Sequence, residues 1–120
     1  VGLDFTARDL QTELKNKGLP WERAKGFDGS AVLGTWSPIP ETPHHHEVRL
    51  EKNGATVQEG STADFLTPIE DLIAFVSQYF TLKKGDILFT GTPAGVGPVH
   101  AGDCLEGFLN GESRLRVNIR

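Results

Sequence analysis

His46-Glu47-Val48-Arg49-Leu50-Glu51-Lys52-Asn53-Gly54-Ala55-Thr56-Val57-Gln58-Glu59 alternates apolar and charged residues around an Asn53-Gly54 pair. Asn-Gly tolerates the two left-handed conformations of a tight primed turn, so the stretch predicts a β-hairpin with arms His46 to Lys52 and Ala55 to Glu59. The same signature returns at Asn110-Gly111, between Cys104 to Leu109 and Ser113 to Ile119. Two hairpins, with 14 glycines and 7 prolines in 120 residues, favour a β-rich fold over a helical bundle.

Helical periodicity is confined to two places. Thr67-Pro68-Ile69-Glu70 combines an N-cap, a first-turn proline and a capping-box glutamate. Ile69, Leu72, Ile73, Val76 and Phe80 then follow at helical spacing. A helix over Thr67 to Phe80 is expected to pack on the sheet, with Phe75, Tyr79 and Phe80 as core. Thr6 to Lys17 reads as a shorter helix closed by Gly18, after a strand ending at Val1 to Phe5. Pro20 to Pro43 reads as a long ordered loop with one short strand at Ala31 to Leu33, and Asp86 to Thr90 as a short buried strand entering a glycine-rich loop. The expected fold is a β-rich α+β domain, a mixed and strongly curved sheet with one packed helix, and no linker divides residues 1–120. With 38% hydrophobic residues, a chain of this size can bury roughly two-thirds of its unfolded surface.

Composition narrows the function classes. The net charge is -4 and the twelve Lys and Arg form no basic stripe, which argues against nucleic acid. Cys104 is the single cysteine, so no intrachain disulfide forms and a cytoplasmic setting is expected. No stretch approaches the roughly 20 apolar residues of a membrane helix, and no signal or lipidation motif stands at either end. The chain contains no methionine and opens on Val1-Gly2-Leu3-Asp4, which reads like the middle of a strand. A fragment of a longer polypeptide is therefore expected.

Asp4, Arg8 and Gln11 are spaced so that a helix would present a carboxylate, a guanidinium and an amide on one face. Asp4 suits either a divalent cation or the N-cap of the helix. Arg8 and Gln11 suit either a substrate carboxylate and carbonyl or a solvated face. In Lys25-Gly26-Phe27-Asp28-Gly29-Ser30, two glycines within four residues let the backbone bring an ammonium to a developing negative charge, although a loop lysine is ordinarily solvated. The loop Thr90-Gly91-Thr92-Pro93-Ala94-Gly95-Val96-Gly97 can hold a small anion through its amides and the Thr92 hydroxyl, or serve as a plain turn. It lacks the Gly-Lys-Ser/Thr of a nucleotide P-loop. In the run His44-His45-His46 only His44 and His46 point to one side of an extended segment, which leaves a structural metal site as a minor alternative. One aspartate is too few for a hard cation that takes about six oxygen ligands.

Three segments together resemble the fumarylacetoacetate hydrolase family. They are Leu3-Asp4-Phe5-Thr6-Ala7-Arg8-Asp9-Leu10-Gln11, then Lys17-Gly18-Leu19-Pro20-Trp21 running into Ala24-Lys25-Gly26-Phe27-Asp28, and Lys84-Gly85-Asp86-Ile87-Leu88-Phe89-Thr90-Gly91-Thr92-Pro93-Ala94-Gly95-Val96-Gly97-Pro98. The resemblance is nearest to acylpyruvase and oxaloacetate decarboxylase members and covers the C-terminal part of the family's catalytic domain. It implies Mg2+ or Mn2+ as cofactor, Asp4 as a metal ligand, Lys25 as the catalytic lysine, Thr92 as the holder of a substrate carboxylate, and Arg8 and Gln11 as substrate-binding residues. It also implies a homodimer, a Glu-x-Glu pair upstream of the aspartate as the other metal ligands, and proton-transferring Glu and His in the same upstream segment.

The expected function is a divalent-metal-dependent hydrolase, decarboxylase or isomerase of small 2-oxo acids or acylpyruvates, working through a metal-stabilised enolate. Its completion requires an N-terminal segment or companion chain. The alternative is a noncatalytic β-rich fragment or binding module without the metal site.

Overall fold

The structure, a computed structural model, describes residues 1–38 and 45–120. Both Asn-Gly turns form as expected. Asn53 and Gly54 adopt φ of 54° and 81°, and Asn110 and Gly111 adopt 50° and 82°. They join β3 (Glu47–Lys52) to β4 (Ala55–Ser61) and β5 (Cys104–Leu109) to β6 (Glu112–Asn118). The hairpins meet through β3 and β5 in an antiparallel sheet of order β4-β3-β5-β6. Opposite residues share a face, so the pairs Val48–Leu109, Leu50–Gly107 and Lys52–Leu105 assemble one side. Leu105, 2% exposed, and Leu115 form the centre of the core there. On the other side Arg49 stands 3.9 Å from the centroid of the Phe108 ring, a cation–π contact, and also pairs with Glu51.

The corner of this sheet is fixed by polar ties. Asn53 donates its amide to Asp103 Oδ1 at 2.7 Å and accepts from the Cys104 amide at 2.8 Å, while the His100 amide donates to Asp103 Oδ2 at 2.9 Å. These bonds favour the charged carboxylate, the Asn53 side chain most strongly, and hold Asp103 below its ordinary 3.8.

A second, two-stranded sheet carries the N-terminal motif. Strand β1 (Gly2–Asp4) pairs antiparallel with β2 (Ala31–Leu33), Asp4 lying opposite Ala31, and the Phe5 amide extends the ladder to the Ser30 carbonyl at 2.7 Å. Helix α1 (Arg8–Asn16) follows and ends at Gly18, φ 65°, where the Gly18 and Leu19 amides cap the Lys15 and Leu14 carbonyls. Its buried residues, Gln11 and Leu14, lie on the side that meets a 3-10 turn, Glu22–Ala24, whose Ala24 is fully buried.

Three expectations are corrected. All strand pairings among the described residues are antiparallel rather than mixed. Helix α2 (Ile69–Ser77) starts after Pro68 with no side-chain cap, and it buries no residue. Ile73, Phe75, Tyr79 and Phe80 are exposed instead of core, and of the apolar stripe only Leu72 and Val76 are partly covered. The stretch from Asp86 to Thr90 forms no strand, and Ile87, Leu88 and Phe89 are 44%, 39% and 39% exposed. Their backbone finds no ladder partner among the described residues, and an extended segment without one is not a strand. The radius of gyration, 15.6 Å, accordingly exceeds the about 14 Å of a compact domain this long. No described helix is long and apolar enough to cross a membrane.

Candidate active site

Asp4 closes β1, and the chain then turns into α1 with Ala7 at the N-cap and no side-chain capping bond. The capping role for Asp4 is thereby set aside. Its carboxylate instead meets Lys25, Nζ to Oδ1 2.6 Å, and the same ammonium donates to Thr6 Oγ1 at 2.8 Å. The 3-10 turn makes this contact possible: it ends at Lys25, and the Ala7 amide donates to the Ala24 carbonyl at 3.0 Å, clamping the two segments together. Asp4 ends β1 and Thr6 lies two residues on, and both side chains reach the same ammonium. At 30% exposure for Lys25 and 48% for Asp4, the pair is half-buried and open to a ligand.

Arg8 and Gln11 do not share a face with Asp4, which belongs to the strand. They bond to each other, Arg8 Nη1 donating to Gln11 Oε1 at 2.7 Å, one helical turn apart. Gln11 is 6% exposed and Arg8 is exposed, so a buried amide braces a guanidinium whose other donors make no bond among the described residues and can meet an anion.

The glycine-rich loop leaves Phe89, which packs on Gly2 at the start of β1, and crosses to β4. Pro93 lies against Gly60, and Gly95, φ 100°, lies so close to the Val57 carbonyl that any Cβ would collide with it. Thr92 Oγ1 accepts from Gln58 Nε2 at 2.9 Å. The loop is thus seated on the hairpin, with Thr92 exposed at its turn.

The Asp4 carboxylate is a hard, half-open oxygen donor and fits one ligand position of Mg2+ or Mn2+. Among the described residues no three His, Cys, Asp or Glu gather to complete such a site. The alternative pair involves His44, which lies outside the described residues, while His46 Nδ1 stands 3.1 Å from the Asn110 amide.

Thr6 and Gln58 escaped the sequence reading. The i, i+2 relation of Asp4 to Thr6 signals the first. The second is signalled by a polar residue at an apolar-face position of the hairpin, since Gln58 pairs with Leu50.

Residues 1–120 match the family described as fumarylacetoacetate (FAA) hydrolase C-terminal. The chain is 46% identical over 116 residues to oxaloacetate tautomerase YcgM of Escherichia coli (strain K12), covering 94% of this chain and 53% of the relative. It is 44% identical over 111 residues to the mitochondrial oxaloacetate tautomerase FAHD1 of Homo sapiens, covering 91% and 50%. The crystal structure of fumarylpyruvate hydrolase from Pseudomonas aeruginosa in complex with Mn2+ and pyruvate superposes with a TM-score of 0.90 at 36% identity, covering 98% of this chain and 52% of that one. The chain spans about half the length of the curated relatives it matches. By this match along its whole length, the chain belongs to the fumarylacetoacetate hydrolase family.

Proposed function

We propose that this chain supplies one carboxylate, the lysine and the anion-holding loop of a Mg2+- or Mn2+-dependent enzyme of small 2-oxo acids, with tautomerisation of oxaloacetate as its reaction. The observation that carries the reading is the convergence of Asp4, Thr6 and Lys25 on a half-open contact. Similarity to two oxaloacetate tautomerases supports this choice of reaction. Asp4 is the metal ligand, and the cation, when bound, polarises the keto oxygen of the substrate. Lys25, oriented by Thr6 and Asp4 through two of its three N–H donors, places fixed positive charge where that oxygen gains negative charge as the neighbouring carbon loses its proton. Arg8, braced by Gln11, grips one carboxylate of the substrate, and the Thr92 hydroxyl donates to another.

The remaining metal ligands and the proton-transferring base come from a further portion of polypeptide, an N-terminal segment or companion chain. The uncovered apolar surface of Ile69, Ile73, Phe80, Ile87, Leu88 and Phe89 supports this. So does the doubled length of the relatives. A homodimer in the cytoplasm completes the proposal. Hydrolysis of an acylpyruvate is the second reading, favoured by the likeness to a fumarylpyruvate hydrolase.

The test is the decay of enolic oxaloacetate, followed by its ultraviolet absorbance with Mn2+ and the intact protein. Asp4→Ala should lower the rate by about 10² or more and weaken Mn2+ binding in parallel. Unchanged Mn2+ affinity in Asp4→Ala would support the noncatalytic module instead, and loss on His44→Ala or His46→Ala the structural metal site. Acylpyruvate cleavage without tautomerisation would select the hydrolase.

A further inference from the structure

Gln58 lies on β4 opposite Leu50, on the sheet face that carries Leu105, where an amide is costly unless bonded. Its Nε2 is 2.8 Å from the Pro93 carbonyl and 2.9 Å from Thr92 Oγ1. A peptide carbonyl only accepts, so the end of the amide that faces Pro93 is the NH2 group. Thr92 Oγ1, bonded to that same nitrogen, is therefore an acceptor toward Gln58. Its single proton is left to point elsewhere.

We propose that Gln58 is a positioning residue that presets the Thr92 hydroxyl as a donor to the carboxylate of a 2-oxo acid. The inference rests on the reading of Thr92 given above. A carboxylate is acceptor-only, so a hydroxyl whose proton already faces it binds better than a free rotor, and far better than one whose proton is taken by a neighbour. The seating of the loop makes the preset hold. Pro93 on Gly60 and Gly95 against Val57 flank the contact and hold the Thr92 backbone over Gln58. Gln58 thereby links the second half of the hairpin to ligand selection, favouring an ionised acceptor at the Thr92 position over a group that must donate.

The test is a double-mutant cycle read as the Kd of oxalate in the intact protein with Mn2+, with the Kd of Mn2+ alone measured alongside. Thr92→Val should weaken oxalate about tenfold and Gln58→Leu, which leaves the hydroxyl a free rotor, about threefold, both with Mn2+ affinity unchanged, and the double variant should be no weaker than Thr92→Val. Gln58→Glu keeps the side-chain volume but replaces the donor by an acceptor that takes the Thr92 proton, so it should weaken oxalate more than Gln58→Leu does. Should Gln58→Leu fail to fold, Gln58→Glu and Thr92→Val decide. Full oxalate affinity in Gln58→Glu, alongside a loss in Thr92→Val, would overturn the role of Gln58 and leave Thr92 in place. Additive losses in the double variant would likewise overturn action through Thr92. Full affinity in Thr92→Val would overturn the Thr92 reading itself, and the inference with it.

Discussion

Replacing Lys25 by Met separates the two tasks assigned to that residue, because it should move cation binding and turnover in opposite directions. The ammonium lies 2.6 Å from Asp4 Oδ1, a separation worth about 1.5 kcal/mol for unit charges in bulk water. With both side chains partly exposed, ion screening and the entropy of holding a long lysine reduce this to about 1 kcal/mol. A divalent cation must share Asp4 with Lys25. Lys25→Met frees the carboxylate, so Mn2+ affinity should rise about fivefold, the equivalent of that pair. The positive charge beside the reacting oxygen disappears at the same time, and the tautomerisation rate at saturating Mn2+ should fall by about 10² or more. Calorimetric titration of Mn2+ into wild-type and Lys25→Met protein, with rates on the same preparations, makes the comparison. Weaker Mn2+ binding in the variant would mean that Lys25 supports the cation site rather than competing with it, and the reasoning would fail. Thermal stability should drop by no more than about 1 kcal/mol, since the Thr6 bond and the ion pair are both half-solvated.

Gly95→Ala requires a side chain at φ 100° facing the Val57 carbonyl, so it should cost more than about 1 kcal/mol in denaturant melts and weaken oxalate by lifting Thr92 from Gln58. Arg8→Lys exchanges a planar fork for a point charge on an exposed helix start, which should raise the KM for oxaloacetate about tenfold with stability almost unchanged. Asp103 is held below 3.8 in the folded state, so its stabilising effect is present above that pH and fades as pH falls through the lowered folded value. Asp103→Asn should therefore flatten the acid limb of a stability-against-pH curve below about pH 4 while leaving cation and oxalate affinity intact.

What the residues reveal in advance depends on whether the cause is local. Asn53-Gly54 and Asn110-Gly111 dictate their turns by backbone preference alone, so both hairpins were legible to within about two residues. Arg8 and Gln11 do meet on α1, as their spacing of three requires. Asp4 was read on that same face and is not there, because the chain remains extended through β1 before turning. Its partner Lys25 is 21 positions away, and only the clamp between Ala7 and Ala24 brings them together. The Thr67 to Phe80 pattern correctly located a helix, yet its packing on the sheet was inferred from an apolar stripe of which Ile69, Ile73 and Phe80 stay exposed. The Ile87-Leu88-Phe89 run failed as a strand for a similar reason, since apolar β-formers become a strand only when a neighbouring edge supplies the hydrogen bonds. The family resemblance was legible because its motifs lie in the turns around Asp4, Lys25 and Thr92, whose residues are fixed by geometry rather than by bulk hydrophobicity.

Asp4 as part of a divalent-cation site that receives 2-oxo acids is put to the test by calorimetric titration of oxalate into the intact protein with and without Mg2+. Binding should require Mg2+ and disappear in Asp4→Ala. Oxalate binding of equal strength without Mg2+, or retained in Asp4→Ala, would contradict that role of Asp4.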